Sequence, residues 1–202
     1  MASARDRAVA VLARGGVVVY PTETVYGLAV DASSTAGLTW LSELKGSPAG
    51  RGVSLLVDGL EMAAGLIAGD PPPAARALVE RFWPGPLTLV LPASDKVLPW
   101  LRGPGGGVGL RCSSDPGASG LLRAFGAPLT STSANPSGQP PATDLEQARA
   151  YFAERVGCYL DGGTREQSVV STVVEFLHGE AILRRSGVIG AAAVSSVVPI
   201  RE

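Results

Sequence analysis

Residues 17–28 read Val-Val-Val-Tyr-Pro-Thr-Glu-Thr-Val-Tyr-Gly-Leu. Three β-branched residues and a tyrosine predict a short strand, and Pro21, which cannot donate a ladder hydrogen bond, marks its end. The polar segment from Thr22 to Tyr26 is thereby presented at a strand terminus. Upstream, Ala8, Val9, Leu12 and Ala13 share one face of a helix predicted over residues 4–13, which Gly15-Gly16 stop.

Working outward, helix signals recur at Leu38, Leu41 and Leu44, at Asp115-Pro116 as cap and first turn, and at Thr143–Glu146 as a capping box before Ala148 and Phe152. Between them lie apolar runs of strand length at residues 53–57, 87–91, 108–112, 128–131, 156–160, 172–176 and 181–183. Interleaved helices and largely apolar strands predict an α/β fold rather than a sandwich or bundle. The Pro-rich segment 70–73 and the Gly-rich segment 103–107 read as loops, the latter as a flexible hairpin or flap.

The chain has 202 residues, 46% of them hydrophobic, enough for one sizeable core and short for two, so residues 1–202 read as a single domain. A formal net charge of -1 argues against a basic surface over the whole molecule while leaving a local basic patch open. Two widely spaced cysteines, Cys112 and Cys158, make no framework, and no export signal is read at the start of the chain, so a cytoplasmic location is expected. Every apolar stretch is interrupted well short of the roughly 20 residues of a membrane-spanning helix.

Several active-site types are excluded by residue inventory. His178 is the single histidine, so no zinc site can be completed with clustered His or Cys; it falls in a polar turn, His178-Gly179-Glu180, and reads as a solvated turn residue. No Walker sequence is present, and the glycines at 105–107 and 109 run into a strand rather than opening a helix. What remains is a set of polar residues in apolar surroundings, including Thr22, Thr24, Lys45, Arg111, Ser131, Ser133, Asn135, Ser171, Thr172 and Arg184. A lone hydroxyl more often bonds backbone than ligand, and Lys45 can be explained by the C-terminal dipole of its helix. Arg111 is different, because an arginine inside an apolar strand needs an anion, either an internal carboxylate or a bound ligand. Arg184, just past a strand end, has the same two readings.

Taken together the motifs resemble the YrdC-like threonylcarbamoyl-AMP synthases from about Gly15 to Gly187. They are YPTETVYGL at 20–28, ELKGSP at 43–48, FWPGPLTLVL at 82–91, VGLR at 108–111, STSANPSG at 131–138, YLDGG at 159–163, STVVE at 171–175 and ILR at 182–184. The resemblance implies a twisted open mixed sheet flanked by helices, with a concave, positively charged ligand cleft. It implies that L-threonine, bicarbonate or CO2, and ATP are joined into L-threonylcarbamoyladenylate with release of pyrophosphate. The product would feed a tRNA-modifying transferase. Mg2+ would accompany ATP, and weak RNA binding is allowed. Carried over by motif, Thr22, Arg111, Ser131 and Thr172 are expected at the threonine, with Arg111 on its carboxylate. Lys45, Ser133, Asn135 and Arg184 are expected at the nucleotide, Lys45 facing the phosphates.

The chain also departs from the pattern. Where the second motif usually reads Lys-x-Arg-Pro, the sequence is Lys45-Gly46-Ser47-Pro48, so a phosphate-binding guanidinium is missing; Arg51, in the same loop, is expected to replace it and is grouped with Lys45 as catalytic. Further departures are Leu56, Pro141, Val170 and Arg185, the last standing where a proline usually follows the final Leu-Arg. These changes keep two alternatives open: a non-catalytic nucleotide- or RNA-binding protein on the same fold, and a carbamoyl-adenylate enzyme serving another acceptor.

Overall fold

The computed structural model describes residues 2–47, 52–166 and 169–201. In chain order its strands are β1 (Val18–Tyr20), β2 (Gly27–Ala29), β3 (Leu55–Leu56), β4 (Leu87–Pro92), β5 (Gly107–Arg111), β6 (Leu129–Thr130), β7 (Thr132–Ser133), β8 (Cys158–Tyr159), β9 (Thr172–Leu177), β10 (Glu180–Arg185) and β11 (Ile200–Arg201). The helices are α1 (Ala4–Ala13), α2 (Thr35–Lys45), α3 (Leu60–Ala64), α4 (Pro73–Phe82), α5 (Pro116–Phe125), α6 (Leu145–Phe152) and α7 (Ala191–Ser195).

The apolar run before Pro21 explains the layering. Val17 and Val19 pack into a core shared with Leu55, Leu87, Leu89 and Leu110, whereas Val18 and Tyr20 face a second core built with Ala8 and Leu12 of α1 and Leu121 and Leu122 of α5. A strand covered on both faces needs apolar residues at every position, as this one has. Two mixed sheets result rather than one. The smaller has the order β7-β2-β1-β8 and the larger β11-β10-β9-β4-β5-β3-β6. Ser131 is the single residue between β6 and β7, so there the chain leaves the large sheet and joins the small one.

Local chemistry sets the element ends. Ser3 and Asp6 form a reciprocal capping box on α1, Gly46 closes α2 in the left-handed region at φ 60°, and Asp115 caps α5 with Pro116 in its first turn. The β9–β10 hairpin turns on His178 and Gly179, both at positive φ, the geometry of a type I′ turn. Residues 103–106 are the expected loop, while Gly107 already opens β5 and its carbonyl accepts from Gly103 N–H to close the turn.

Some boundaries differ from the sequence reading. The cap of α6 is Asp144, one residue later than expected, because its carboxylate accepts both the backbone and side-chain amides of Gln147. Pro73 belongs to helix rather than loop: it stands at the first position of α4, where a missing N–H costs nothing, and Ala75, Leu78 and Val79 bury that helix. The run 53–57 contracts to the two residues of β3, flanked by Ser54 at the cleft described next.

Candidate functional site

A cleft of about 190 Å3 opens where several strand ends converge. Its wall draws Thr24 from the β1–β2 loop, Ser54 before β3, Arg111 at the end of β5, Ser131 at the sheet crossover, Ser171 before β9 and Arg185 at the end of β10.

Arg111 is 7% exposed, and both readings of it find support. An internal carboxylate is present: Nη2 donates to Glu23 Oε1 at 2.9 Å and to Thr24 Oγ1 at 2.8 Å. The other Glu23 oxygen accepts from the Ser113 hydroxyl. Yet Arg111 Nε is buried without a partner among the described residues. A buried charged donor left unpaired is costly, and Arg111 also lines the cleft, where its guanidinium is placed to meet a ligand anion.

Thr22 lines the cleft, but its hydroxyl serves the loop. It donates to the Val25 carbonyl at 2.6 Å and accepts from the amides of Thr24 and Val25. It thereby shapes the turn that aims Thr24 at Arg111. Ser131 Oγ accepts from the Tyr20 hydroxyl at 3.3 Å, and burial raises the pKa of that tyrosine.

On the neighbouring side, Lys45 Nζ donates to the Ser133 carbonyl at 2.7 Å and the Asn135 carbonyl at 2.9 Å. Desolvation lowers its pKa to about 8. Ser133 lines the cleft. Asn135 uses its amide nitrogen on the carbonyls of Pro136 and Gln139, which fixes the side-chain orientation and leaves Oδ1 buried with no partner among the described residues.

Lys45 and Asn135 stand beside the cleft without lining it, and two further expected residues, Thr172 and Arg184, are also outside its wall. Thr172 is fully buried, donating to the Ile189 carbonyl at 2.6 Å and accepting from the amides of Gly187 and Ile189; it holds the 187–189 turn against the base of β9. Arg184 is half-exposed and ion-paired with Glu175 at 2.5 Å. Arg185 lines the cleft instead, donating to the Ser171 carbonyl at 2.9 Å and hydroxyl at 3.0 Å. The physical cause is a β-bulge between Leu183 and Arg185, which shifts the register against β9. Arg185 is exposed as a whole residue, but partial desolvation of its guanidinium, with Arg111 nearby, lowers its pKa. Arg51 lies outside the described residues. Of the other departures, Leu56 is buried in the second core, Val170 lines the cleft, and Ser47 is tied through its carbonyl and amide to Ser42.

Sequence reading passed over Glu23, Ser54 and Ser113. Glu23 stood inside the opening segment; the available signal was that a buried Arg111 requires a carboxylate.

Comparisons with known proteins agree with this geometry. The Sua5/YciO/YrdC family model, described as "Telomere recombination", matches residues 10–187. A threonylcarbamoyl-AMP synthase of Thiobacillus denitrificans is 41% identical over 175 residues, 86% of this chain and 91% of that protein. One of Marinobacter nauticus is 36% identical over 168 residues, 82% and 87% of the two chains. The crystal structure of P. abyssi Sua5 complexed with L-threonine superposes with a TM-score of 0.90 at 31% identity; the match takes in 100% of this chain and 60% of that one. E. coli YciO gives a TM-score of 0.84 at 26% identity over 94% and 91% of the two chains. With most of its length matched and its cleft built from the shared motifs, the chain belongs to the Sua5/YciO/YrdC family.

Proposed function

We propose that the chain is a threonylcarbamoyl-AMP synthase, forming L-threonylcarbamoyladenylate and pyrophosphate from L-threonine, bicarbonate or CO2, and ATP. The observation that carries this reading is Arg111: a largely buried guanidinium that lines the cleft and is held along one edge by Glu23 and Thr24 suits the carboxylate of a small amino acid. The kinship to proteins bearing that name supports the same assignment. The concave positive surface of the family would rest here on Arg111, Arg185 and Lys45.

Alignment and charge neutralisation do the chemistry. Threonine carboxylated on its amine presents a carbamate oxygen that attacks the α-phosphorus of ATP; the bond from that phosphorus to the bridging oxygen breaks and pyrophosphate leaves with the electron pair. No nucleophilic side chain is needed, in keeping with a wall of hydroxyls and cations. Lys45 and Arg185 would face the phosphates, with Ser133 and Asn135 beside them, and Arg51 would add charge in place of the missing arginine at position 47. Among the described residues no group of three or more His, Cys, Asp or Glu could hold a metal. Mg2+ brought with ATP would be held mainly by phosphate oxygens and water and would offset charge on the leaving group.

The test is threonine- and bicarbonate-dependent pyrophosphate release by the purified protein with ATP and Mg2+. No release above a blank over a broad ATP range would discard the assignment in favour of a non-catalytic binding protein. Release without threonine would favour a different acceptor. Ser47→Arg should tighten ATP binding if the lost arginine weakens the site; loss of activity in that variant would point to Arg51 as its working replacement. Delivery to a tRNA-modifying transferase follows from the same assignment, and among the described residues no helix is long and apolar enough to cross a membrane.

A further inference from the structure

The wall between the cleft and a second cavity is made of Glu23 and Thr24. Thr24 lines both spaces, while Glu23 lines the far one together with Arg165 and Thr164. Glu23 is therefore on the far side of that wall: it does not line the main cleft, and it reaches Arg111 from the side of the second cavity.

Its two oxygens are differently employed. One accepts from Arg111 Nη2 at 2.9 Å and the other from the Ser113 hydroxyl. Ser113 Oγ in turn accepts from the Asp115 amide at 3.2 Å, at the cap of α5, and Asp115 holds Arg165 at 3.1 Å. Each end of the carboxylate is thus fixed by a different element. Nη2 is held by both Glu23 and Thr24, which fixes the guanidinium plane at that edge while the residue lines the cleft.

Charge gives this clamp a second consequence. Arg111 and Arg185 line the same cleft, and an unneutralised pair of guanidiniums would draw a phosphate as readily as a carboxylate. The Glu23 carboxylate offsets the charge of one of them, and it is Arg111 that it touches.

We propose that Glu23 is a positioning and specificity-determining residue, which holds Arg111 in the orientation that takes an amino-acid carboxylate and keeps phosphate from competing for it. This rests on the synthase reading above. Glu23 touches no reacting atom; it acts through Arg111.

The experiment measures L-threonine binding by calorimetry and steady-state pyrophosphate release with threonine and ATP varied separately, in wild type, Glu23→Gln, Glu23→Asp and Ser113→Ala. Glu23→Gln should raise KM for threonine roughly ten- to a hundred-fold, the range for a misplaced orienting group, with little change in KM for ATP. Inorganic phosphate should become a competitive inhibitor against threonine in that variant and not in wild type. Glu23→Asp, which keeps the charge on a shorter arm, should restrain phosphate inhibition while recovering only part of the affinity. If Glu23→Gln fails to fold, Ser113→Ala decides, because it frees one carboxylate oxygen and leaves the ion pair: a several-fold rise in KM confined to threonine supports the role. Equal rises in both KM values, or unchanged threonine binding with no phosphate inhibition, overturn it. A wild type that neither binds threonine nor releases pyrophosphate overturns the synthase reading itself, and this proposal with it.

Discussion

Lys45 Nζ lies 2.7 Å from the Ser133 carbonyl oxygen, and a second bond of 2.9 Å to Asn135 ties the end of α2 to the loop after β7. A neutral amine still has two N–H groups, enough for both carbonyls. These two bonds therefore do not depend on the positive charge, which under the synthase reading would serve the nucleotide. With the pKa lowered to about 8 by burial, nucleotide affinity should fall between pH 7 and 9, and Lys45→Met should flatten that profile; nucleotide titrations at several pH values check it. For stability the sign is opposite. A folded-state value below the ordinary 10.5 of a lysine means the unfolded chain binds more protons between about pH 8 and 10.5. The Lys45 contribution is thus most favourable above 10.5 and is lost as pH falls through about 8.

Removing Arg111 should be doubly damaging. Arg111→Ala leaves Glu23 in a half-buried network without its cation, and breaking one side of a buried pair costs about 3–5 kcal/mol. Arg111→Lys keeps charge but cannot contact Glu23, Thr24 and a ligand carboxylate from one planar fork, so threonine affinity should still collapse while stability is better preserved. Urea denaturation and threonine calorimetry separate the two effects.

Adjacent arginines should behave differently. Arg184→Ala removes a half-exposed pair with Glu175, worth about 0–1 kcal/mol, and should leave catalytic rates close to wild type. Arg185→Ala empties part of the cleft wall and should lower kcat/KM by roughly one to two decades, the equivalent of a lost charged hydrogen bond. Matched kinetics on the two variants suffice.

Gly187 admits the cleft wall. A Cβ there would overlap the Val170 carbonyl oxygen and approach the Ser171 carbonyl carbon to 2.6 Å, so Gly187→Ala should destabilise by about 1–3 kcal/mol. Because Val170 and Ser171 line the cleft, substrate KM should change as well as the thermal midpoint.

The features legible in the sequence were those with local causes. The glycine stop after α1, the Asp115-Pro116 start of α5 and the turn at His178 each depend on a few neighbouring residues, and each stands where the pattern puts it. What escaped reading is tertiary. Whether Arg184 or Arg185 enters the cleft depends on a bulge against β9, and two adjacent arginines carry no sign of it. Thr172 resembles a ligand hydroxyl by motif, but a turn fifteen and more residues away claims its oxygen. Glu23 sat in the first segment quoted, and its partner Arg111 lies on another strand. The resemblance named positions in the cleft; it could not say which hydroxyls the backbone would consume.

The order of strands in the small sheet bears on how the molecule is made. β1 pairs with β8, Val18 opposite Cys158, and in the large sheet β4 pairs with β9, Leu87 opposite Thr172. Neither pairing is rewarded until a long loop has closed, and loop-closure entropy makes such topologies slow to refold. The cleft draws on residues from Thr22 to Arg185, so its wall is complete only when both long-range pairings are made, and substrate binding reports on the whole fold at once.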